Sequence, residues 1–240
     1  MVRVPSHGRS KIRRKRNKRF LIVCGGIVTE YEYFEYVKSK ASQCCALSWD
    51  VNRSLLLEKD GVDPLTLTEH AVDFERQDCK SSKKEGYDPF SLVWVVTDVD
   101  DFGEKIHQAQ SKANSTGGKI KLIISNPCFE VWIIDHLKSC PLSCTATRDC
   151  QKEAKQLGLL CNTKGSKRKH IELEKIEGNY KNAFKNAKLH MGQIQMKKRR
   201  NHPSVTSKSN YAPWTDVPEI IETIAEECKR VSGLDLDNIL

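Results

Sequence analysis

Leu92-Val-Trp-Val-Val96 is the segment that most restricts what this chain can become: five apolar residues in a row that run straight into Thr97-Asp98-Val99-Asp100-Asp101-Phe102-Gly103. A short run with no polar face is a strand buried on both sides, so other layers must cover it above and below. Phe20-Leu-Ile-Val-Cys24 reads the same way and is broken by Gly25-Gly26; residues 119–124 read as a further strand, and 49–57 as a second. Helical spacing fills the intervals. Thr29 and Glu32 have the spacing of a capping box, with Tyr31, Phe34, Val37 and Ala41 following on one face. Asp63-Pro64 opens a helix to about Cys79, followed by a loop over 80–87, and 104–114 form a helix stopped by Ser115-Thr-Gly-Gly118. Ser125-Asn126-Pro127 is expected to cap one more helix, with Pro127 in its first position and Phe129, Trp132, Ile133 and Leu137 facing inward. Strands alternating with helices predict an α/β fold, a parallel sheet with right-handed crossovers and helices on both faces.

Beyond Cys140 only helices are expected, over 147–158, over 180–199 with Phe184, Ala187, Met191 and Ile194 on one face, and over 218–229 after Asp216. The chain therefore divides into a basic flexible arm at 1–19, an α/β core at 20–140 and a helical C-terminal region at 141–240. The formal charge of +9 sits in the arm, whose nine basic residues include Arg13, Arg14, Lys15, Arg16, Lys18 and Arg19, leaving 31 basic against 31 acidic residues elsewhere. Such an arm gains affinity for RNA or DNA by releasing counterions, and the alternatives are a solvated terminus or an organelle leader poor in apolar positions. Lys197, Lys198, Arg199 and Arg200, with the 164–170 stretch, form a further basic set that could hold a phosphate backbone, or simply a solvated helix face.

No apolar run approaches the roughly 20 residues that span a bilayer, and the stretch from Phe20 is too short for an export signal, so no membrane and a cytoplasmic location are expected. Ten cysteines in such a chain are read as reduced thiols. Cys140, Cys144, Cys150 and Cys161 cluster near His136 and His170, but only the first pair has the close spacing of zinc ligands, so zinc is not expected there.

In an open parallel sheet the functional crevice lies beyond the carboxyl ends of the strands. Three segments are expected there: Cys-Gly-Gly-Ile-Val-Thr-Glu30, Thr97-Asp-Val-Asp-Asp101 and Ser125-Asn-Pro-Cys-Phe-Glu130. Two residues apart on an extended strand end, Asp98 and Asp100 point the same way, and paired carboxylates repel unless a cation lies between them. Oxygen ligands of this kind suit Mg²⁺ or Mn²⁺. An ordinary acidic turn is the competing reading, and Glu30 and Glu130 have an alternative role in the first turns of their helices.

CGGIVTEYEYFE, WVVTDVDDFG and ISNPCFEVWIIDHL together resemble the RloB family of bacterial phage-defence proteins, clearly over residues 20–140 and more loosely at the segment around Tyr180 and Lys181. The resemblance implies a Toprim-like sheet and a metal-dependent nuclease acting on RNA, tRNA included, or DNA. It implies that Asp98 and Asp100 hold Mg²⁺ with support from Asp101 and Glu30, that Glu30 also acts as the catalytic acid or base beside them, and that Asn126, Glu130 and Lys181 line the crevice. It further implies an SMC-like or ABC-type ATPase as partner. Family members usually read C-E-G-x-x-T-E at the first turn, where this chain has Gly25. That departure leaves open a binding or ATPase-regulating subunit without catalysis, and a nucleotidyl-transfer enzyme would use the same Asp pair.

Overall fold

Alternate side chains of the first apolar run enter two different cores, which is why the run has no polar face. In the computed structural model, which describes residues 17–45, 50–99, 102–162, 169–190, 212–236 and 240, strand β1 (Phe20–Cys24) sends Phe20, Ile22 and Cys24 into one core and Leu21 and Val23 into the other. Strand β3 (Leu92–Asp98) divides Trp94 and Val96 from Val93 and Val95 in the same way. With β2 (Leu55–Lys59) and β4 (Ile120–Asn126) these strands form a parallel sheet in the order β2-β1-β3-β4. A two-residue strand, β7 (Trp214–Thr215), closes the edge antiparallel to β4. The fold is α/β, with a mostly parallel five-stranded sheet between helical layers.

Helices α3 (Pro64–Glu85) and α4 (Gly103–Asn114) cover one face. The other face carries α1 (Thr29–Cys45), α5 (Glu130–Asp135), α8 (Tyr180–Leu189) and the C-terminal α9 (Val217–Ser232). Its core joins Tyr33 and Trp94 to Trp132, Tyr180, Ile220 and Leu240, so residues from 20–140 and from 141–240 share one apolar interior. Trp94 and Trp132 are fully buried, and truncating either to alanine would cost about 3–5 kcal/mol.

Several elements depart from the sequence reading, each for a local reason. Residues 51–54 form a helical turn, α2 (Val51–Ser54), because the Asp50 carboxylate accepts the Arg53 N–H at 3.3 Å, and the strand starts only at Leu55. Helix α3, capped by Asp63 on the amides of Leu65 and Thr66, runs through the expected loop to Glu85 and stops where Gly86 takes a left-handed φ of 78°. Pro127 does not open a helix. Asn126 still pairs with Trp214 in the sheet, so Pro127 and Cys128 form the turn and α5 begins at Glu130, leaving Leu137 exposed beyond its end.

The C-terminal region is not all helix. After α6 (Thr147–Gln156) come the antiparallel strands β5 (Leu160–Asn162) and β6 (Lys169–Ile171), and then α7 (Leu173–Ile176). Glu32 binds this hairpin through His170 Nδ1 and the Ile171 N–H, so its carboxylate makes a tertiary contact. Met191, Ile194 and the rest of the helix expected to 199 lie outside the described residues.

Candidate functional site

The carboxyl ends of β1, β3 and β4 lie side by side. Cys24 pairs with Val96, and the Gly25 N–H extends the ladder to the Val96 carbonyl at 2.9 Å, which brings Gly26 level with Asp98. Two-residue alternation places Asp98 on the face of Trp94 and Val96, the side covered by α1 and α5. On the next strand Asp98 pairs with Ser125, and Asn126 follows at the end of β4.

Glu30 stands in the first turn of α1 and is 7% exposed. Its carboxylate folds back over the glycine turn: a Cβ added at Gly26 would lie 1.6 Å from Glu30 Oε2 and 2.1 Å from Oε1. The Glu30 side chain thus fills the space that a side chain at position 26 would need. Gly25 differs. A Cβ there would meet the Val96 carbonyl oxygen at 3.2 Å and Leu67 Cδ2 at 3.4 Å, against the α3 side of the sheet. A carboxylate at 25 would therefore start from the face opposite Asp98, whereas Glu30 supplies one on the α1 side.

Glu130, 5% exposed, opens α5 in the same region. Burial pushes the Cys128 thiol well up, and the neighbouring Cys150 thiol and the charges of Glu130 and Asp98 add to that shift, so both carboxylates lie near this turn. Burial likewise raises Cys24, with the charge of Glu30 next in importance. Asn126 is fully buried, and neither its Oδ1 nor its Nδ2 has a hydrogen-bond partner among the described residues. A buried amide in that state costs about 1–3 kcal/mol, and its Oδ1 is available to a hard cation.

The structure thus gathers Glu30, Asp98, Asn126 and Glu130 at one end of the sheet. Asp100 and Asp101 lie outside the described residues, and β3 itself ends at Asp98. Lys181 is exposed on the first turn of α8, a helix that packs on α5. Arg13, Arg14, Lys15, Arg16, Lys197, Lys198, Arg199 and Arg200 fall outside the described residues.

Arg19 belongs to the folded body rather than to the arm. Its guanidinium donates to both Asp78 carboxylate oxygens at 2.9 and 3.2 Å and to the Asp88 carbonyl at 2.8 Å, and it lies over the rings of Tyr87 and Phe90. The neighbouring Lys18 has an exposed side chain, but its backbone N–H is fixed on Glu227 Oε1 at 2.9 Å. Sequence reasoning missed Gly26. Its importance shows only once the Glu30 side chain is seen to fold back, although two consecutive glycines before a helical glutamate were a visible signal.

These features define an α/β protein whose parallel sheet collects carboxylates at its carboxyl end. The chain matches the family of RloB-like proteins over residues 20–224, most of its length, and belongs to that family. No curated protein and no solved structure matches it. Among the described residues no helix is long and apolar enough to cross a membrane.

Proposed function

We propose that this chain is a Toprim-like, Mg²⁺- or Mn²⁺-dependent nuclease of a cytoplasmic bacterial anti-phage system, cutting RNA, tRNA included, or DNA as the effector of an SMC-like or ABC-type ATPase. The observation that carries the reading is the placement of Glu30 and Asp98 on one face at the carboxyl end of adjacent strands, with the buried Asn126 amide and Glu130 beside them. The donor set fits the ion, since every candidate ligand is an oxygen. Asp98 would hold it with Asp100, while Asp101, Asn126 Oδ1 and Glu130 would support that pair. A bound Mg²⁺ would polarise a phosphate oxygen and acidify a water. Glu30, held over Gly26, would take the proton from the attacking water at its carboxylate and return one to the leaving oxygen as the P–O bond breaks. The basic arm would hold the backbone.

Gly25 favours a second reading, a nucleic-acid-binding or ATPase-regulating subunit that has lost the acid of the family's first motif. Purified protein assayed with Mg²⁺ and Mn²⁺ against RNA, tRNA and DNA, with and without the ATPase, separates the two. The nuclease reading expects Glu30→Gln and Asp98→Asn to lose about 10²- to 10⁴-fold in rate while keeping their circular dichroism spectra. Undiminished cleavage by Asp98→Asn refutes it, and wild-type inactivity with intact nucleic-acid binding selects the second reading. Gly25→Glu is expected not to rescue Glu30→Gln, because its side chain starts against Leu67 and the Val96 carbonyl.

A further inference from the structure

Three thiols from one short segment, with a fourth from the turn after β4, converge in the interior. The Sγ atoms of Cys140, Cys144 and Cys150 all lie within 4.8 Å of one another, and all three residues are buried. Cys128, fully buried in the turn between β4 and α5, stands beyond this trio and reaches it through a thiol hydrogen bond with Cys150. Ligands at about 2.3 Å in a tetrahedron stand about 3.8 Å apart, so Cys140, Cys144 and Cys150 need to close by no more than about 1 Å to share an ion. Cys161, the fourth residue suggested by spacing, stands elsewhere, on β5 beside Glu172 and Glu32.

Buried cysteine is ordinarily a small apolar residue, and one or two such contacts would need no other explanation. Four converging thiols form an unusual interior, because each S–H is a weak donor and a weak acceptor. Among the described residues the Cys150 thiol has the Cys144 carbonyl, at 3.7 Å, as its backbone partner. The segment these residues pin is irregular. Residues 136–146 join α5 to α6 without helix or strand, held by bonds that include the Cys140 N–H to Asp135 Oδ1, the Cys144 N–H to the Pro141 carbonyl and the Lys138–Glu153 ion pair.

We propose that Cys128, Cys140, Cys144 and Cys150 bind one structural zinc ion as a four-thiolate site. Binding releases the four thiol protons to solvent and forms four Zn–S bonds, with no change of oxidation state. The ion fastens the turn that carries Asn126 and Glu130 to the loop before α6, and so braces one wall of the crevice from behind. This proposal does not depend on the nuclease reading.

The test is the metal content of full-length protein purified without chelator from cells grown with added zinc. About one zinc per chain is expected, with near-complete loss in Cys144→Ser and in Cys150→Ser, and with Cys161→Ser and Cys79→Ser unaffected. In case those serine variants fail to fold, wild-type protein is exchanged with Co²⁺. Visible bands of a tetrahedral ion and a strong thiolate-to-cobalt charge-transfer band are expected, the latter weakened by about a quarter in Cys128→Ser, in proportion to the ligands lost. Metal-free wild type whose four thiols react freely with a thiol reagent overturns the proposal, and an unchanged cobalt spectrum in Cys128→Ser overturns the assignment of that residue.

Discussion

Gly26→Ala would test the site without touching a carboxylate. The new methyl carbon would be placed 1.6 Å from Glu30 Oε2, 2.0 Å from Cδ and 2.1 Å from Oε1. An ordinary contact is roughly 3.5 Å, so the carboxylate must retreat by about 2 Å. It can do so, because the obstacle is the free end of a flexible side chain, and the backbone at Gly26 is not in the left-handed region. An off-rotamer Glu30 costs about 0.5–1.5 kcal/mol, while replacing glycine removes freedom from the unfolded chain worth about 0.4–1 kcal/mol. The two nearly cancel. At about 2–4 °C per kcal/mol for a chain of this size, Tm should move by only a few degrees. Function should respond far more strongly. A misplacement of about 1 Å already costs on the order of 10²-fold, so Gly26→Ala should match the loss of about 10²- to 10⁴-fold expected of Glu30→Gln. The double variant should be no worse than either single one, since both remove the same group. Mn²⁺ binding followed by electron paramagnetic resonance gives a readout that needs no substrate, and affinity should fall by about 10- to 100-fold. A Gly26→Ala protein that cleaves at the wild-type rate and binds Mn²⁺ undiminished would refute the placement of Glu30 at the centre of the site.

Two further outcomes concern the scaffold. Burial holds His136 down to about 4, in a pocket where its ring nitrogens meet the Trp132 carbonyl and the Tyr33 hydroxyl. The unfolded state therefore binds the extra proton first: this contribution is complete above about pH 6.5 and is lost as pH falls toward 4, by about 3 kcal/mol in all. Urea unfolding at a series of pH values should show that acid limb in the wild type and a shallower one in His136→Gln. Arg19→Met should cost about 3 kcal/mol, because it strands the Asp78 carboxylate and removes the cation from two aromatic rings. The salt slope of nucleic-acid binding should stay as it was in that variant, which a salt titration checks directly.

The parallel strands were legible because burial on both faces leaves no polar positions in Phe20–Cys24 or in the 92–96 run. Their order fixed where to look: Asp98 and Asn126 close β3 and β4, and Glu30 and Glu130 stand in the first turns of the helices that follow β1 and β4. What sequence could not convey depended on side-chain routes and distant partners. Glu32 has the spacing of a capping box yet binds His170 and Ile171, more than a hundred residues away. Trp214–Thr215 is too short to show a period, and it is a strand only because β4 offers an open edge. Pro127 looked like a helix opener because nothing local reveals that Asn126 is still held in the sheet. Cys128 escaped notice for the same reason, being 22 positions from Cys150, the cysteine it touches.

The packing of α9 on α1 has a cost in time. Tyr33, Phe34 and Val37 are made early in synthesis, but Ile220, Ile221 and Ile224, which enter the same core, arrive nearly two hundred residues later. At about 5–20 residues per second a ribosome needs roughly ten seconds or more to cross that interval, and meanwhile an apolar face stays uncovered. Contacts so distant along the chain also slow the search for the native arrangement once synthesis ends. Expression at low temperature or with added chaperones should therefore raise the soluble yield, and a fragment stopped at residue 140 should aggregate because the lid of its own core is still missing.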